Sequence, residues 1–391
     1  MINKIFKYIL YFFFLPIWWM QNIIPRNKNI WIFGAWYGEK YSDNAKYLFE
    51  HILSNNKKIR CIWLTRKEHI KKKLNSEGKE CYLINSFNGA FYSLIGNKII
   101  FSSGKSDINS FFINGAKSIQ LWHGAPMKKI GLDDRFSFDS FTNFIHKYFF
   151  PFVYEYNINY VVSTAEVFNK KLCSAFNIKD NQILLTGYPR NDVFYNCEKH
   201  QLIKEWDNNY GNPYKIIYLP TFRSHDENFQ PFNNYNFDQF QWNKFLEQTN
   251  SLFILKGHFV NKIVGEKISG DRFIHLSDLE INDVNEILKD VDLLITDYSG
   301  AYFDFLLTEK PIILASFDIH EYLSKYRELY FNYNEILCGH EAKDWNEVIM
   351  EIQKIKLKDQ FIEKRKYLSN MFNKYSDGLN SERLYIAILN S

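Results

Sequence analysis

The sequence predicts an α/β protein of two Rossmann-like domains facing across a cleft, with an N-terminal membrane-associated segment. Three observations carry this. Strand-like and helix-like segments alternate along the chain, and the alternation restarts midway, which implies two parallel sheets flanked by helices. At 391 residues the chain exceeds one compact core, since domains cluster at ~100–200 residues. An uncharged aromatic stretch precedes the first strand.

That stretch runs from Tyr8 to Pro25 and includes Phe12-Phe13-Phe14 and Trp18-Trp19, bracketed by Lys4 and Lys7 before and Arg26 and Lys28 after. A spanning helix needs ~20 apolar residues, and Pro16 is expected to break the helix midway. Paired Trp beside basic residues suits a segment lying in the headgroup layer. A single span and a buried packing segment are the alternatives. Residues 1–28 are therefore set apart as a membrane-association segment.

Beyond it, strands are expected at Asn29–Phe33, Ile59–Leu64, Glu80–Ile84, Lys98–Phe101, Lys117–Leu121, Asn159–Val162 and Ile183–Leu185. Helices are expected at Asp43–Leu53, with Ser42 or Asp43 as N-cap, and at 67–75, 139–149 and 165–175. A polar break at Asn196–Pro213 puts the domain boundary at 200/201. The second half reads as strands Lys215–Tyr218, Leu252–Leu255, Arg272–His275, Leu293–Ile295 and Pro311–Leu314, with helices near 236–248, 282–289, 300–308, 343–355 and 359–372. The last helix is a candidate to cross back to the first domain.

Composition excludes several classes. A hydrophobic fraction of 46%, with 36 Phe, 26 Tyr and 9 Trp, rules out disorder. A net charge of +4, from 48 Lys+Arg against 44 Asp+Glu, is too balanced to suggest a nucleic-acid partner. Five scattered cysteines without a C-x-x-C pair argue against a disulfide framework or structural zinc and for a reducing compartment.

The candidate chemistry falls just after expected strands. Lys117–Leu121 leads into Trp122-His123-Gly124, with Lys128 following. A His at a strand's carboxyl end, with Gly and Pro shaping the turn, suits a general base, because imidazole titrates near neutrality; a structural histidine is the plain alternative. In the second half, Lys215–Tyr218 leads to Thr221 and Arg223, Leu252–Leu255 to Lys256-Gly257-His258, and Leu293–Ile295 to Thr296-Asp297-Tyr298-Ser299-Gly300. A small-residue turn opening a helix offers backbone N–H groups to an anion, and Arg adds a bidentate phosphate contact. Asp290-Val291-Asp292 has the D-x-D form of a metal chelator but precedes its strand, and Asp133-Asp134 is a weaker version. No Walker A, G-x-G-x-x-G, G-x-S-x-G or H-E-x-x-H is present. Metal-independent transfer without a cofactor is the expectation.

These residues also carry a resemblance. Tyr41-Ser42-Asp43-Asn44; Trp122-His123-Gly124 with Pro126, Lys128 and Gly131; Gly187-Tyr188-Pro189-Arg190-Asn191-Asp192; Tyr218 with Pro220-Thr221 and Arg223; Thr296-Asp297-Tyr298-Ser299 with Phe303-Asp304 and Lys310-Pro311; and Asp377-Gly378 with Ser381 and Arg383 occur in this order. The ordered set resembles the CDP-glycerol glycerophosphotransferase family over about residues 29–390. Lys256, Phe259 and Gly300 stand where that family usually has Arg, Pro and a second Ser.

The resemblance implies a GT-B-like fold, an acceptor domain at 29–200, a CDP-donor domain at 201–391, and peripheral attachment to the cytoplasmic face of a bacterial membrane. It implies transfer of polyol phosphate from CDP-glycerol or a related CDP-polyol to a lipid-linked saccharide or polymer, with release of CMP. His123 matches the proposed base and His258 a second essential histidine. Arg223, Thr296, Ser299 and Gly300 match the pyrophosphate region, with Thr221 and Asp297 beside it; Gly124, Lys128, Arg190 and Asp304 are further candidates. A GT-B glycosyltransferase using a nucleotide-sugar is the competing reading, and a non-catalytic membrane scaffold a third.

Overall fold

The computed structural model describes residues 2–55, 58–136, 139–221, 230–256, 268–277, 280–281 and 283–391. The chain divides into two compact units. The first comprises Met1–His123, Gly131–Asp192 and Leu379–Ser391; the second comprises Gly124–Ile130 and Val193–Gly378.

Among the described residues, the first unit holds strands β1 (Asn27–Gly34), β2 (Arg60–Thr65), β3 (Cys81–Leu83), β4 (Gly96–Phe101), β5 (Lys117–Gln120), β6 (Tyr160–Ser163) and β7 (Ile183–Leu185). They form a seven-stranded sheet in the order β3-β2-β1-β4-β5-β6-β7, all parallel. Most strand residues are buried apolar, as a sheet covered by helices on both faces requires. The order reverses between β1 and β4, and such a switch point is where open α/β sheets receive ligands, at the carboxyl ends of the strands.

The second unit repeats the plan with β8 (Tyr214–Leu219), β9 (Ser251–Leu255), β10 (Phe273–His275), β11 (Leu293–Thr296), β12 (Ile312–Leu314) and β13 (His340–Glu341). Their order is β10-β9-β8-β11-β12-β13, again parallel, with the switch between β8 and β11. An aromatic cluster packs one face of this sheet, where Trp345 stacks on Phe232 at 4.8 Å and meets Trp242 at 5.7 Å. The buried indole of Trp345 donates to the Pro231 carbonyl at 2.7 Å.

Two sequence expectations change. The polar stretch read as a break contains helix Gln201–Tyr210, whose Ile203 and Trp206 are buried. The chain accordingly leaves the first unit after Asp192, ahead of the 200/201 boundary. The C-terminal helix Asn380–Asn390 belongs to the first unit, where the Asp192 carboxylate accepts the backbone N–H groups of Asn380 and Ser381, both at 2.8 Å. Gly187, just upstream, takes a left-handed φ of +79°, and a Cβ there would collide with Asn380.

The second change concerns the N-terminus. Helix Ile2–Met20 runs through Pro16 without breaking, and it is part of the first unit rather than a separate segment. Tyr11, Phe14 and Trp18, at helical spacing, lie on Phe111, Phe112, Phe150 and Phe152 with ring centroids 5.1–5.8 Å apart. Asn114 donates to the Trp18 carbonyl at 2.8 Å. This packing offsets the one backbone hydrogen bond that a mid-helix proline removes. The opposite face stays exposed and apolar, with Phe12 at 66%, Phe13 at 71% and Trp19 at 60% exposure. Among the described residues no helix is long and apolar enough to cross a membrane, which removes the single-span alternative.

Candidate functional site

The carboxyl ends of β1, β4, β5 and β7 converge on the peptide around His123. Trp122 is held in the left-handed region (φ 58°) and Gly124 at φ 148°, a sharp turn that costs free energy in a non-glycine residue and persists only where the surroundings enforce it. The enforcement is visible. Asn44, at the start of helix Asp43–Asn55, donates through Nδ2 to the Trp122 carbonyl at 2.8 Å. Arg190 donates through Nη1 to the His123 carbonyl at 2.8 Å and to Asp43 Oδ1 at 3.1 Å. The Arg190 N–H reaches Asn44 Oδ1 at 3.1 Å. Asp43 and Arg190 are both buried. The imidazole of His123 contacts two indoles, with its centroid 4.2 Å from Trp122 and 5.2 Å from Trp36.

Behind this turn sits Asp107, fully buried. Its carboxylate accepts the N–H groups of Tyr37 (2.6 Å), Ser102 (3.0 Å) and Ser103 (2.7 Å). Burial pushes its carboxyl up to about 7, against the opposing pull of those N–H donors. The neighbouring Glu155 is raised by burial too and accepts the Lys105 N–H at 2.6 Å. Burial holds Lys105 down at about 8, and its ammonium donates to the Tyr154 carbonyl at 2.8 Å.

In the second unit the switch point is built around Asp297. Its carboxylate accepts the Thr221 N–H at 2.8 and 3.0 Å and the Tyr298 N–H at 2.6 Å, tying the end of β8 to the end of β11. The Thr296 hydroxyl donates to the Leu219 carbonyl at 2.7 Å and is fully buried. Thr296 and Asp297 thus shape the turn. Tyr298 stacks on Tyr322 at 4.2 Å and donates to Asp318 at 3.2 Å. Ser299 and Gly300 are half-exposed at the start of the helical stretch from Ala301, and Ser299 Oγ accepts the Ala301 N–H at 3.4 Å. Asp304 is buried one turn further on.

The segment after His123 joins this second unit. The Lys129 N–H donates to the Glu328 carbonyl and the Tyr330 N–H to the Met127 carbonyl, at 2.8 and 2.9 Å, with Lys128 opposite Leu329 in an antiparallel bridge. The Ala125 carbonyl lies 3.3 Å from the position a Cβ on Gly300 would take.

The structure therefore brings His123 together with Arg190, and Thr221 with Asp297. Arg223 and His258 lie outside the described residues. Lys256, before His258, donates to the Ile281 carbonyl at 3.0 Å. Asp292 sits at the amino end of β11, where its carboxylate accepts the Lys215 N–H at 2.8 Å, the end remote from the turns above. Among the described residues no group of three or more His, Cys, Asp or Glu is arranged to hold a metal ion. Sequence reasoning missed Asp107, Gln120 and Trp36. Only Trp36, the first aromatic after a strand, carried a local signal.

The family model described as CDP-Glycerol:Poly(glycerophosphate) glycerophosphotransferase matches residues 17–390. A teichoic acid glycerol-phosphate transferase of Staphylococcus aureus is 28% identical over 377 residues, 92% of each chain. A teichoic acid glycerol-phosphate primase of Bacillus subtilis is 30% identical over 299 residues, 75% of this chain and 74% of that one. The solved structure of the wall teichoic acid polymerase TagF superposes with a TM-score of 0.75 at 23% identity, covering 93% of this chain and 89% of that one. UDP-GlcNAc 2-epimerase from Neisseria meningitidis has a TM-score of 0.55 at 12% identity, covering 93% of this chain and all of that one. These likenesses make the fold GT-B-like. A match that runs through every one of the strand-end turns described here leaves one assignment: the chain belongs to the CDP-glycerol:poly(glycerophosphate) glycerophosphotransferase family.

Proposed function

We propose that this protein transfers glycerol phosphate, or a related polyol phosphate, from a CDP-activated donor to a hydroxyl of a lipid-linked saccharide or growing polymer. The observation that carries the reading is His123. In a chain of this family, it stands at the carboxyl end of a strand, its peptide gripped by Asn44 and Arg190. His123 takes the proton of the acceptor hydroxyl as that oxygen attacks the glycerol-bearing phosphorus. The new P–O bond forms as the bond to the bridging oxygen breaks, CMP departs with the electron pair, and the proton passes on to solvent. Arg223, His258 and the turn at Ser299–Gly300 hold the diphosphate and stabilise the charge on the leaving phosphate.

The exposed apolar face of helix Ile2–Met20 rests on the cytoplasmic membrane surface, where a lipid-linked acceptor is concentrated. Inserting its Phe and Trp side chains contributes a few kcal/mol at ~25 cal/mol per Å², enough for reversible attachment. The test is thermal-shift screening against CDP-glycerol, CDP-ribitol and UDP-sugars, followed by identification of the nucleotide released. CMP release with stabilisation by CDP-glycerol supports the reading; UDP release from a UDP-sugar replaces it with the glycosyltransferase. His123→Ala should lower turnover by ~10²–10⁴ while leaving CDP-glycerol binding intact. Activity within about tenfold of wild type removes His123 as the base.

A further inference from the structure

We infer that Asp107 is a positioning residue for His123, acting on the imidazole by two routes without touching substrate. The inference rests on reading His123 as the base. One route runs through the loop after β1. Asp107 accepts the Tyr37 N–H at 2.6 Å, at a turn where both Trp36 (φ 47°) and Tyr37 (φ 59°) are left-handed. Two consecutive non-glycine residues in that region need an external restraint. A buried carboxylate bonded to the Tyr37 N–H supplies one. The turn so held presents the Trp36 ring to His123 at 5.2 Å.

The second route runs through the loop after β4. Asp107 accepts the N–H groups of Ser102 and Ser103. The Ser103 carbonyl accepts from Gln120 Nε2 at 3.2 Å, and Gln120 Oε1 accepts the Trp122 N–H at 3.2 Å. Trp122 is the left-handed residue just before His123, and its ring covers the imidazole at 4.2 Å. One buried carboxylate thus restrains both indoles that contact the base. Such a hub is costly to bury, and a hydrophobic residue could fill the space. The carboxylate does what no apolar residue can, since it ties four N–H groups, those of Tyr37, Ser102, Ser103 and Gly104, from two strand-end loops to one point.

The test compares full-length Asp107→Asn with wild type and with His123→Ala. Asparagine keeps the volume but turns an amide N–H₂ toward donors that need an acceptor. The expected result is a kcat at least tenfold lower, with the KM for CDP-glycerol and the thermal shift it causes unchanged, since misplacing a catalytic group by about 1 Å costs on the order of 10² in rate. A folded Asp107→Asn with kcat within threefold of wild type overturns the inference. If Asp107→Asn does not fold, Trp36→Leu decides, because Trp36 is only half-buried. A kcat at least tenfold lower with unchanged donor KM supports the inference, and anything smaller overturns it. If His123→Ala itself stays active, the base assignment fails, a result distinct from the failure of Asp107.

Discussion

Replacing Arg190 by Met separates the two jobs this side chain does. Its guanidinium neutralises Asp43, which is 4% exposed, and holds the His123 carbonyl at 2.8 Å. Without it, Asp43 remains as a buried charge short of its cation, and breaking a buried pair from one side costs ~3–5 kcal/mol. Asp43→Asn removes the same charge from the other side and tolerates the left-handed φ of 65° at this position. In Asp43→Asn, Arg190 keeps its bond to His123. The double variant leaves no uncompensated charge, so its loss of stability should be at least ~1 kcal/mol less than the sum of the two single losses.

Turnover should follow a different order. The bond from a charged donor to the His123 carbonyl is worth ~1.5–3 kcal/mol; if that is expressed in the transition state, losing it slows CMP release roughly 10- to 150-fold. Arg190→Met and the double variant should both show this loss, while Asp43→Asn retains most of its rate. Urea denaturation and single-turnover CMP release measure the two orders independently. Stability losses that add without coupling, or rates that track stability through all three variants, would refute the account.

Other outcomes follow from the proposed function and the packing of the N-terminal helix. Arg223→Ala and Ser299→Ala should each weaken CDP-glycerol binding in calorimetry, the former by ~1.5–3 kcal/mol; if both bind as wild type does, the diphosphate lies elsewhere. Turnover should survive EDTA, and complete loss restored by Mg²⁺ or Mn²⁺ would bring Asp290 and Asp292 or Asp133 and Asp134 back as ligands. Replacing exposed Phe12, Phe13 and Trp19 together with Ser should abolish co-sedimentation with anionic vesicles at unchanged melting temperature, and retained co-sedimentation would exclude this face as the anchor. Deleting residues 1–25 should instead lower the melting temperature, because it strips Tyr11, Phe14 and Trp18 from their aromatic seat.

Much was legible in the sequence by itself. Alternating apolar runs and helical periodicity marked the strands of both sheets to within two residues at each end, except the two-residue β13, because burial on both faces leaves an unmistakable pattern. The positions of His123, Thr221, Ser299 and Gly300 at strand ends followed directly, since parallel α/β units put their carboxyl-end turns at the ligand edge. The tertiary structure alone decided three things. Helix Gln201–Tyr210 was hidden because its polar surface residues outnumber the buried Ile203 and Trp206. The N-terminal helix has one face on the protein and the other exposed, a division that a uniformly apolar run cannot reveal before its partners Phe111 and Phe152 are in place. The restraint on His123 comes from Asp43, Asn44, Asp107, Gln120 and Arg190, spread over a helix start, two strand-end connections and a strand end; their hydrogen bonds exist only once the sheet has brought those segments together, so no spacing in the sequence could encode them.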